Sequence, residues 1–187
     1  MKIVVTAVPG CGKTTTLNYL ERMMDVNIIN FGDFMFKYSK LKNRDDMRKL
    51  PVEKYRKLQL SASKKIGKMK GNIVIDTHCT INKPEGYYPG LPEDVLKSLS
   101  PDVIVLIEKN PQDILKQRKR DKKRTTRDIE TLGKIELQQQ MNRMFAAAYS
   151  TIAKSTVKII SLRYKERSAF QHSKIAAKQI AELFKGD

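Results

Sequence analysis

Apolar positions along this chain follow two alternating rhythms. Five short apolar runs, at 2–7, 26–31, 72–77, 102–108 and 156–162, have the length and β-branched content of strands buried on both faces. Between them, apolar residues return every three or four positions, the period of a helix with one buried side. The first such segment, 12–24, aligns Leu17, Leu20 and Met24. The next aligns Tyr55, Leu58, Ala62, Ile66 and Met69, with Pro51 in its first turn and Gly71 as its stop. Asn110 and Pro111 read as the cap and first residue of a further helix, with Asp113 near its positive end. A long helix over 129–153 places Leu137, Met141, Met144, Ala148 and Ile152 on one stripe, and a last helix over 168–184 gathers Ile175, Ala176, Ile180, Leu183 and Phe184. Strands alternating with helices predict an α/β fold of three layers: a five-stranded, mostly parallel sheet with helices on both faces.

The first strand runs into Ala7-Val8-Pro9-Gly10-Cys11-Gly12-Lys13-Thr14-Thr15. Apart from Ala7 in place of the first glycine, this is the P-loop pattern, here in its proper setting between a strand and a helix. The motif makes the domain a P-loop NTPase fold and its chemistry nucleotide handling. Pro9, Gly10, Cys11, Gly12, Lys13, Thr14 and Thr15 are expected to cradle phosphates: backbone N–H groups curl around the β-phosphate, Lys13 reaches the β/γ oxygens, and the Thr14 hydroxyl is a ligand for Mg²⁺. The third strand delivers Asp76 to the carboxyl edge of the sheet, where ligands bind in open α/β folds. Asp76 is the expected second anchor of the metal, through coordinated water, because Mg²⁺ keeps much of its hydration. The other reading of Asp76 is a cap on the next turn.

Length and charge narrow the picture. The 187 residues suit a single domain, and 37 Lys and Arg against 20 Asp and Glu give a net charge of +17. Such an excess favours anionic partners without choosing among nucleotides, RNA or an acidic membrane surface. No run of 18 apolar residues exists and the first residues enter a strand, so a cytoplasmic, soluble protein is expected. Cys11, Cys79, His78 and His172 are the only cysteines and histidines, too few for an expected zinc centre. Cys11 lies near a helix N-terminus, which lowers a thiol pKa, or else serves as a compact spacer. Adjacent first and third strands would bring Cys11 towards Cys79, yet a cytosolic setting disfavours a disulfide.

From Lys116 to Arg127 there are eight cations, Lys116, Arg118, Lys119, Arg120, Lys122, Lys123, Arg124 and Arg127, with Asp121 the sole acid. Such a run can be a solvated helix end or a nucleic-acid contact. Following the fourth strand of a P-loop protein, it also reads as a lid whose arginines neutralise a phosphoryl group in transfer. Asp33 reads either as a helix N-cap or as a general base, and a base is needed only if the acceptor is a hydroxyl. Arg48 could grip an acceptor phosphate with its two-pronged guanidinium. The turn-rich stretch 83–92 is long and aromatic for a connector and is expected to line a pocket.

Several of these landmarks occur together in one family. Pro9-Gly10-Cys11-Gly12-Lys13-Thr14, Asn30-Phe31-Gly32-Asp33-Phe34-Met35, Asp45-Asp46-Met47-Arg48-Lys49-Leu50, Ile75-Asp76-Thr77-His78, Gly86-Tyr87-Tyr88-Pro89-Gly90-Leu91-Pro92, Lys119-Arg120-Asp121 and Ser155-Thr156-Val157-Lys158 resemble the archaeal type of adenylate kinase over nearly the whole chain. The resemblance implies Mg²⁺-dependent, reversible transfer from ATP to AMP to give two ADP, and a homotrimer. It divides the single domain into a core at about 1–30, 71–108 and 129–187, a helical NMP-binding insertion at about 31–70 and a short lid at about 109–128. It implies that Phe31, Gly32, Asp33, Met35, Arg48, His78, Tyr88, Gly90 and Leu91 surround AMP, that Lys13 and Thr14 hold ATP and metal, and that Arg120, Arg124, Arg127 and Arg143 clasp the reacting phosphates. Two places depart from the family pattern. Asn82-Lys83 stands where an arginine is expected, which shifts the AMP phosphate onto Lys83 or other cations, and Arg163-Tyr164-Lys165-Glu166-Arg167 follows the last strand where adenine contacts are expected. Two alternatives stay open: a kinase for another nucleoside monophosphate or a small hydroxylated metabolite, and an RNA-associated or ribosome-assembly NTPase whose positive charge serves a phosphate backbone.

Overall fold

A computed structural model describes residues 1–120 and 131–186, apart from the side chains of Asp45, Arg48 and Lys49. Five parallel strands form the sheet in the order β2-β3-β1-β6-β7: β1 (Lys2–Ala7), β2 (Asn27–Asn30), β3 (Ile73–Thr77), β6 (Val103–Lys109) and β7 (Thr156–Leu162). A separate antiparallel hairpin joins β4 (Thr80–Lys83) to β5 (Gly86–Pro89). The helices are α1 (Lys13–Met23), α2 (Phe31–Lys37), α3 (Val52–Gly67), α4 (Glu93–Leu99), α5 (Pro111–Arg120), α6 (Leu132–Ala153) and α7 (Gln171–Leu183), with a 3₁₀ turn at Arg44–Lys49.

Alternate residues of each central strand feed two separate cores, as the pleat requires. Ile3, Val5, Val74, Val103, Val105, Ile107 and Ile160 pack with Leu17 and Leu20 of α1, Ile114 of α5 and Ala176 and Ile180 of α7. Val4, Ile29, Ile73, Ile75, Ile104 and Leu106 pack on the other face with Met35 of α2, Ala62 and Ile66 of α3, Leu96 and Leu99 of α4 and Ala146 and Tyr149 of α6. Burial on both faces is why these strands read as unbroken apolar runs. The strand order reverses around β1, so the loops after β1 and β3 open side by side at the carboxyl edge.

The expected stripe on the long helix faces the wrong way. Leu137 and Met144 of α6 are 47% and 65% exposed, and Ala148 and Ile152 are also exposed, whereas Ile135, Gln138, Gln139, Asn142, Ala146 and Tyr149 point inward. The inward polar groups bolt the helix to the carboxyl edge of the sheet. The Thr80 hydroxyl donates to Asn142 Oδ1 at 2.7 Å, the Lys109 N–H to Gln139 Oε1 at 3.1 Å, and the Tyr149 hydroxyl to the Cys79 carbonyl at 2.9 Å. The stretch 83–92, expected as a pocket-lining loop, forms the turn and second strand of the hairpin, and its Gly90 lines the cleft at the carboxyl edge.

Candidate active site

Two left-handed glycines shape the loop after β1: Gly10 at φ 89° and Gly12 at φ 90°, the latter capping α1. A side chain at Gly12 would be strained by that backbone. Ala7 is not among the residues with positive φ and is buried at the end of β1, so the missing first glycine costs the loop nothing. Arg118 of α5 lies across Gly10, its Nε donating to the Pro9 carbonyl at 2.7 Å. The root of the basic segment is therefore tied directly to the phosphate loop.

Cys11 turns away from the site. Its N–H donates to the Val8 carbonyl at 3.1 Å and its thiol to the Ile107 carbonyl at 3.4 Å. Burial pushes this thiol up to about 12, overriding the lowering effect of Lys109 and Lys13, so the activated-thiol reading is corrected to the compact-spacer one. Burial likewise holds Cys79 at about 12. The two free thiols sit in the two different cores, on opposite faces of the sheet.

Lys13 Nζ pairs with Asp76 Oδ1 and donates to the Thr77 carbonyl. Burial pulls this lysine below the ordinary value, opposed by the charge and hydrogen bond of Asp76. The sheet dictates the meeting: Val5 is in register with Asp76, and Asn30 lies opposite Asp76 on the other side. Asn30 Nδ2 donates to Asp76 Oδ2 at 2.9 Å. Thr14, exposed at the start of α1, and Asp76 both line the cleft, and both offer hard oxygen donors. That donor set fits Mg²⁺. Among the described residues no three His, Cys, Asp or Glu side chains converge on one point, so such a metal would take its remaining ligands from water and phosphate.

One cleft of about 570 Å³ joins this loop to the far side of the sheet edge. Ala7 to Thr15, Asp76 and Thr77 form one end; Asn30, Phe31, Gly32, Met35, Arg44, Tyr55, Gln59, His78, Ile81 and Gly90 form the other; Gln117 and Arg120 reach it from α5. Of the residues expected around an acceptor, Phe31, Gly32, Met35, His78 and Gly90 are thus brought together. Gly90 is wedged in place: its N–H donates to the Cys79 carbonyl at 2.9 Å and its carbonyl accepts from Gln59 Nε2 at 3.3 Å.

Other expected residues stand elsewhere. Leu91 is fully buried beneath the wall, its N–H donating to the Tyr149 hydroxyl at 3.4 Å. Tyr88 belongs to the hairpin, outside the cleft lining, as does Lys83, whose Nζ lies 4.7 Å from the Tyr88 ring centroid. Asp33 is not the cap of α2. Asn30 is, accepting from the Asp33 N–H at 3.0 Å, while the Asp33 carboxylate pairs with Arg44 at 2.7 Å outside the lining. Arg143 is bound in two-pronged fashion to the buried Glu108, at 2.6 Å on each oxygen, rather than lining the cleft. Arg163, after the last strand, binds Glu136 at 2.8 and 2.9 Å and approaches Glu108 at 3.5 Å. Arg48 lies in the 3₁₀ turn and its side chain is outside the description; Arg124 and Arg127 lie outside the described residues.

Sequence reasoning missed Asn30, Arg44, Gln59 and Lys109. Lys109 is buried against the phosphate loop, its Nζ 3.6 Å from where a side-chain carbon on Gly12 would stand. Arg44 and Arg48 flank the same Asp45-Asp46 pair within five residues, and nothing in spacing ranked one over the other.

Comparison with known proteins agrees with this geometry. An AAA domain model matches residues 6–136. The adenylate kinase of Pyrobaculum aerophilum is 44% identical over 190 residues, covering 98% of this chain and 96% of its own. That of Methanopyrus kandleri is 46% identical over 166 residues, covering 84% and 87%, and that of Pyrococcus horikoshii is 46% identical, covering 84% of each chain. Among solved structures, a shikimate kinase from Bacteroides thetaiotaomicron superposes with a TM-score of 0.64, covering 99% of this chain and 98% of its own, at 16% identity. That likeness shows the P-loop kinase fold alone. No helix among the described residues is long and apolar enough to cross a membrane. At this identity over nearly the full length, the chain belongs to the adenylate kinase family of phosphotransferases.

Proposed function

We propose that this cytoplasmic enzyme seats ATP and AMP head to head in the one cleft and passes a phosphoryl group between them, reversibly, to give two ADP. The continuity of the cleft carries this reading: the phosphate loop and Asn30, Phe31, Gly32, Met35, His78 and Gly90 line a single volume. Lys13 leaves Asp76 for the ATP phosphates, and Thr14 with Asp76, the latter through water, would hold Mg²⁺. When bound, Mg²⁺ supplies charge neutralisation and fixes the phosphate oxygens. Phe31, Gly32, Met35, His78 and Gly90 present AMP. Arg44, already in the lining, offers a guanidinium for its phosphate, with Arg48 in the same turn. Asp33 has no base to perform, because a phosphate acceptor is already ionised and its carboxylate is engaged by Arg44. Arg120 enters the cleft from α5 to put a cation beside the transferred group, and Arg124 and Arg127, assigned the same role, lie outside the described residues. Arg143 holds the carboxyl end of β6 through Glu108.

A coupled assay with MgATP and a panel of acceptors tests this directly. AMP is expected to be preferred over CMP, UMP and sugars; a hydroxyl-bearing acceptor outpacing AMP contradicts it.

The outward apolar stripe of α6 and the open edge of β7 support self-association. Val157 and Ile159 of β7 are 37% and 39% exposed beside an unpaired strand edge. A second copy of the chain is the occupant we assign to this face, in line with the trimer that the family resemblance implies.

A further inference from the structure

Asp76 is gripped on both oxygens. Lys13 holds Oδ1, and Asn30 Nδ2 donates to Oδ2 at 2.9 Å. The other end of the Asn30 amide has separate partners: Oδ1 accepts from the Asp33 N–H at 3.0 Å, as the cap of α2, and from Arg44 at 3.4 Å. These partners also fix which way the amide points, since the opposite orientation would set oxygen against carboxylate and NH₂ against two donors. One side chain thus touches the donor end of the cleft through its nitrogen and the acceptor end through its oxygen.

We propose that Asn30 is a positioning residue that ties the acceptor helix to the metal-side carboxylate. The inference rests on the reading of Asp76 as the metal anchor. When Lys13 turns to ATP phosphates, Oδ1 of Asp76 loses its partner, and the Asn30 bond is what keeps the carboxylate aimed. The end of β2 supplies the rigidity: Asn30 and Asp76 are in register in the sheet, so their separation is set by the backbone pairing. Chemistry restricts the position. Serine or threonine caps a helix but offers one atom for the work of two, and aspartate caps well but repels Asp76. Because the same amide caps α2, a shift of the acceptor helix is delivered to Asp76 through a single planar group.

Asn30→Ser separates the two tasks, because serine accepts the cap bond as well as asparagine does and drops the donor to Asp76. Calorimetric titration without acceptor compares MgATP with ATP in excess EDTA, and the ratio of the two affinities measures what the metal contributes. In Asn30→Ser the metal-free affinity should stay within about twofold of wild type while the gain from Mg²⁺ falls roughly tenfold, the scale of lost outer-shell partners. Asn30→Thr, whose branched side chain suits the end of a strand, should show the same fall. Both variants should melt within a few degrees of wild type, since the cap is kept. Asp76→Asn is the reference. If it abolishes the gain and Asn30→Ser and Asn30→Thr leave it intact, the tie is overturned and the Asp76 reading survives. If Asp76→Asn itself leaves the gain intact, the metal-anchor reading falls and the proposal with it.

Discussion

Gly90 is the position where a single methyl group should reveal the architecture of the acceptor wall. A Cβ there would lie 2.0 Å from the His78 carbonyl oxygen, 2.8 Å from that of Cys79 and 2.9 Å from the His78 carbonyl carbon. All three are backbone atoms, so no rotamer change relieves the clash. The β3–β4 connection must retreat, stretching the Gly90 N–H bond to Cys79, the Gln59 bond to the Gly90 carbonyl and the Leu91 contact with Tyr149. Overpacking with one weakened backbone hydrogen bond costs about 2–4 kcal/mol. For a chain of this size Gly90→Ala should therefore lower Tm by roughly 5–15 °C. His78 and Gly90 line the part of the cleft assigned to the acceptor, Lys13 and Thr14 the part assigned to ATP. Steady-state kinetics below the melting range should thus show KM for AMP raised several-fold with KM for MgATP nearly unchanged. A variant with wild-type Tm and wild-type KM for AMP refutes the tight packing; equal rises in both KM values refute the division of the cleft into two ends.

Other perturbations probe the remaining parts. Lys13→Ala should cut kcat by about 10²–10³, and Arg120→Ala should lower kcat by about 10² with little change in nucleotide affinity, both read in a coupled assay; an unchanged kcat in Arg120→Ala removes that residue from the catalytic group. Cys11 and Cys79 should resist iodoacetamide at pH 8 in the native protein, because a thiol held at about 12 is ionised to only about one part in 10⁴ there, and should react promptly in urea. Their folded values lie above the ordinary value of 9.0, so the protonated thiols favour the native state below pH 9. That contribution should drain away between pH 9 and pH 12 by ~1.4 kcal/mol per pH unit and thiol, seen as a falling Tm that Cys11→Ala diminishes. Finally, Met144→Glu on the outward stripe of α6 should reduce the mass seen by sedimentation to that of one chain while Tm of the monomer fold survives; an unchanged mass dismisses this face as the contact.

The sequence carried the sheet and the loop because their signals are local. A strand buried on both faces is an unbroken apolar run, and the phosphate loop must have glycine where φ is positive and lysine at its end. The inward face of α6 was illegible for the opposite reason. Gln139 and Asn142 are buried with their amide oxygens accepting from the Lys109 N–H and the Thr80 hydroxyl on distant strands, and periodicity counts only apolar residues. The β4–β5 hairpin was hidden too, since its strands are only four residues long and mostly half-buried or exposed, and its Lys83-Pro84-Glu85-Gly86 turn looks like any loop. Within the site, Lys13, Thr14 and Asp76 follow from the motif and the strand that ends beside it. Asn30 and Arg44 emerge only when register and helix capping bring Asn30 to Asp76 and Arg44 to Asn30, contacts that span 46 and 14 residues of sequence.

The account stands or falls on whether phosphate moves between two nucleotides in one water-poor cleft. Phosphorus NMR of the purified protein with MgATP and AMP follows every species at once. The expected spectrum loses one ATP and one AMP for each pair of ADP formed, with inorganic phosphate negligible by comparison. Inorganic phosphate rising in step with ATP loss while AMP stays intact would contradict it, and would mark the cleft as the site of a hydrolase instead.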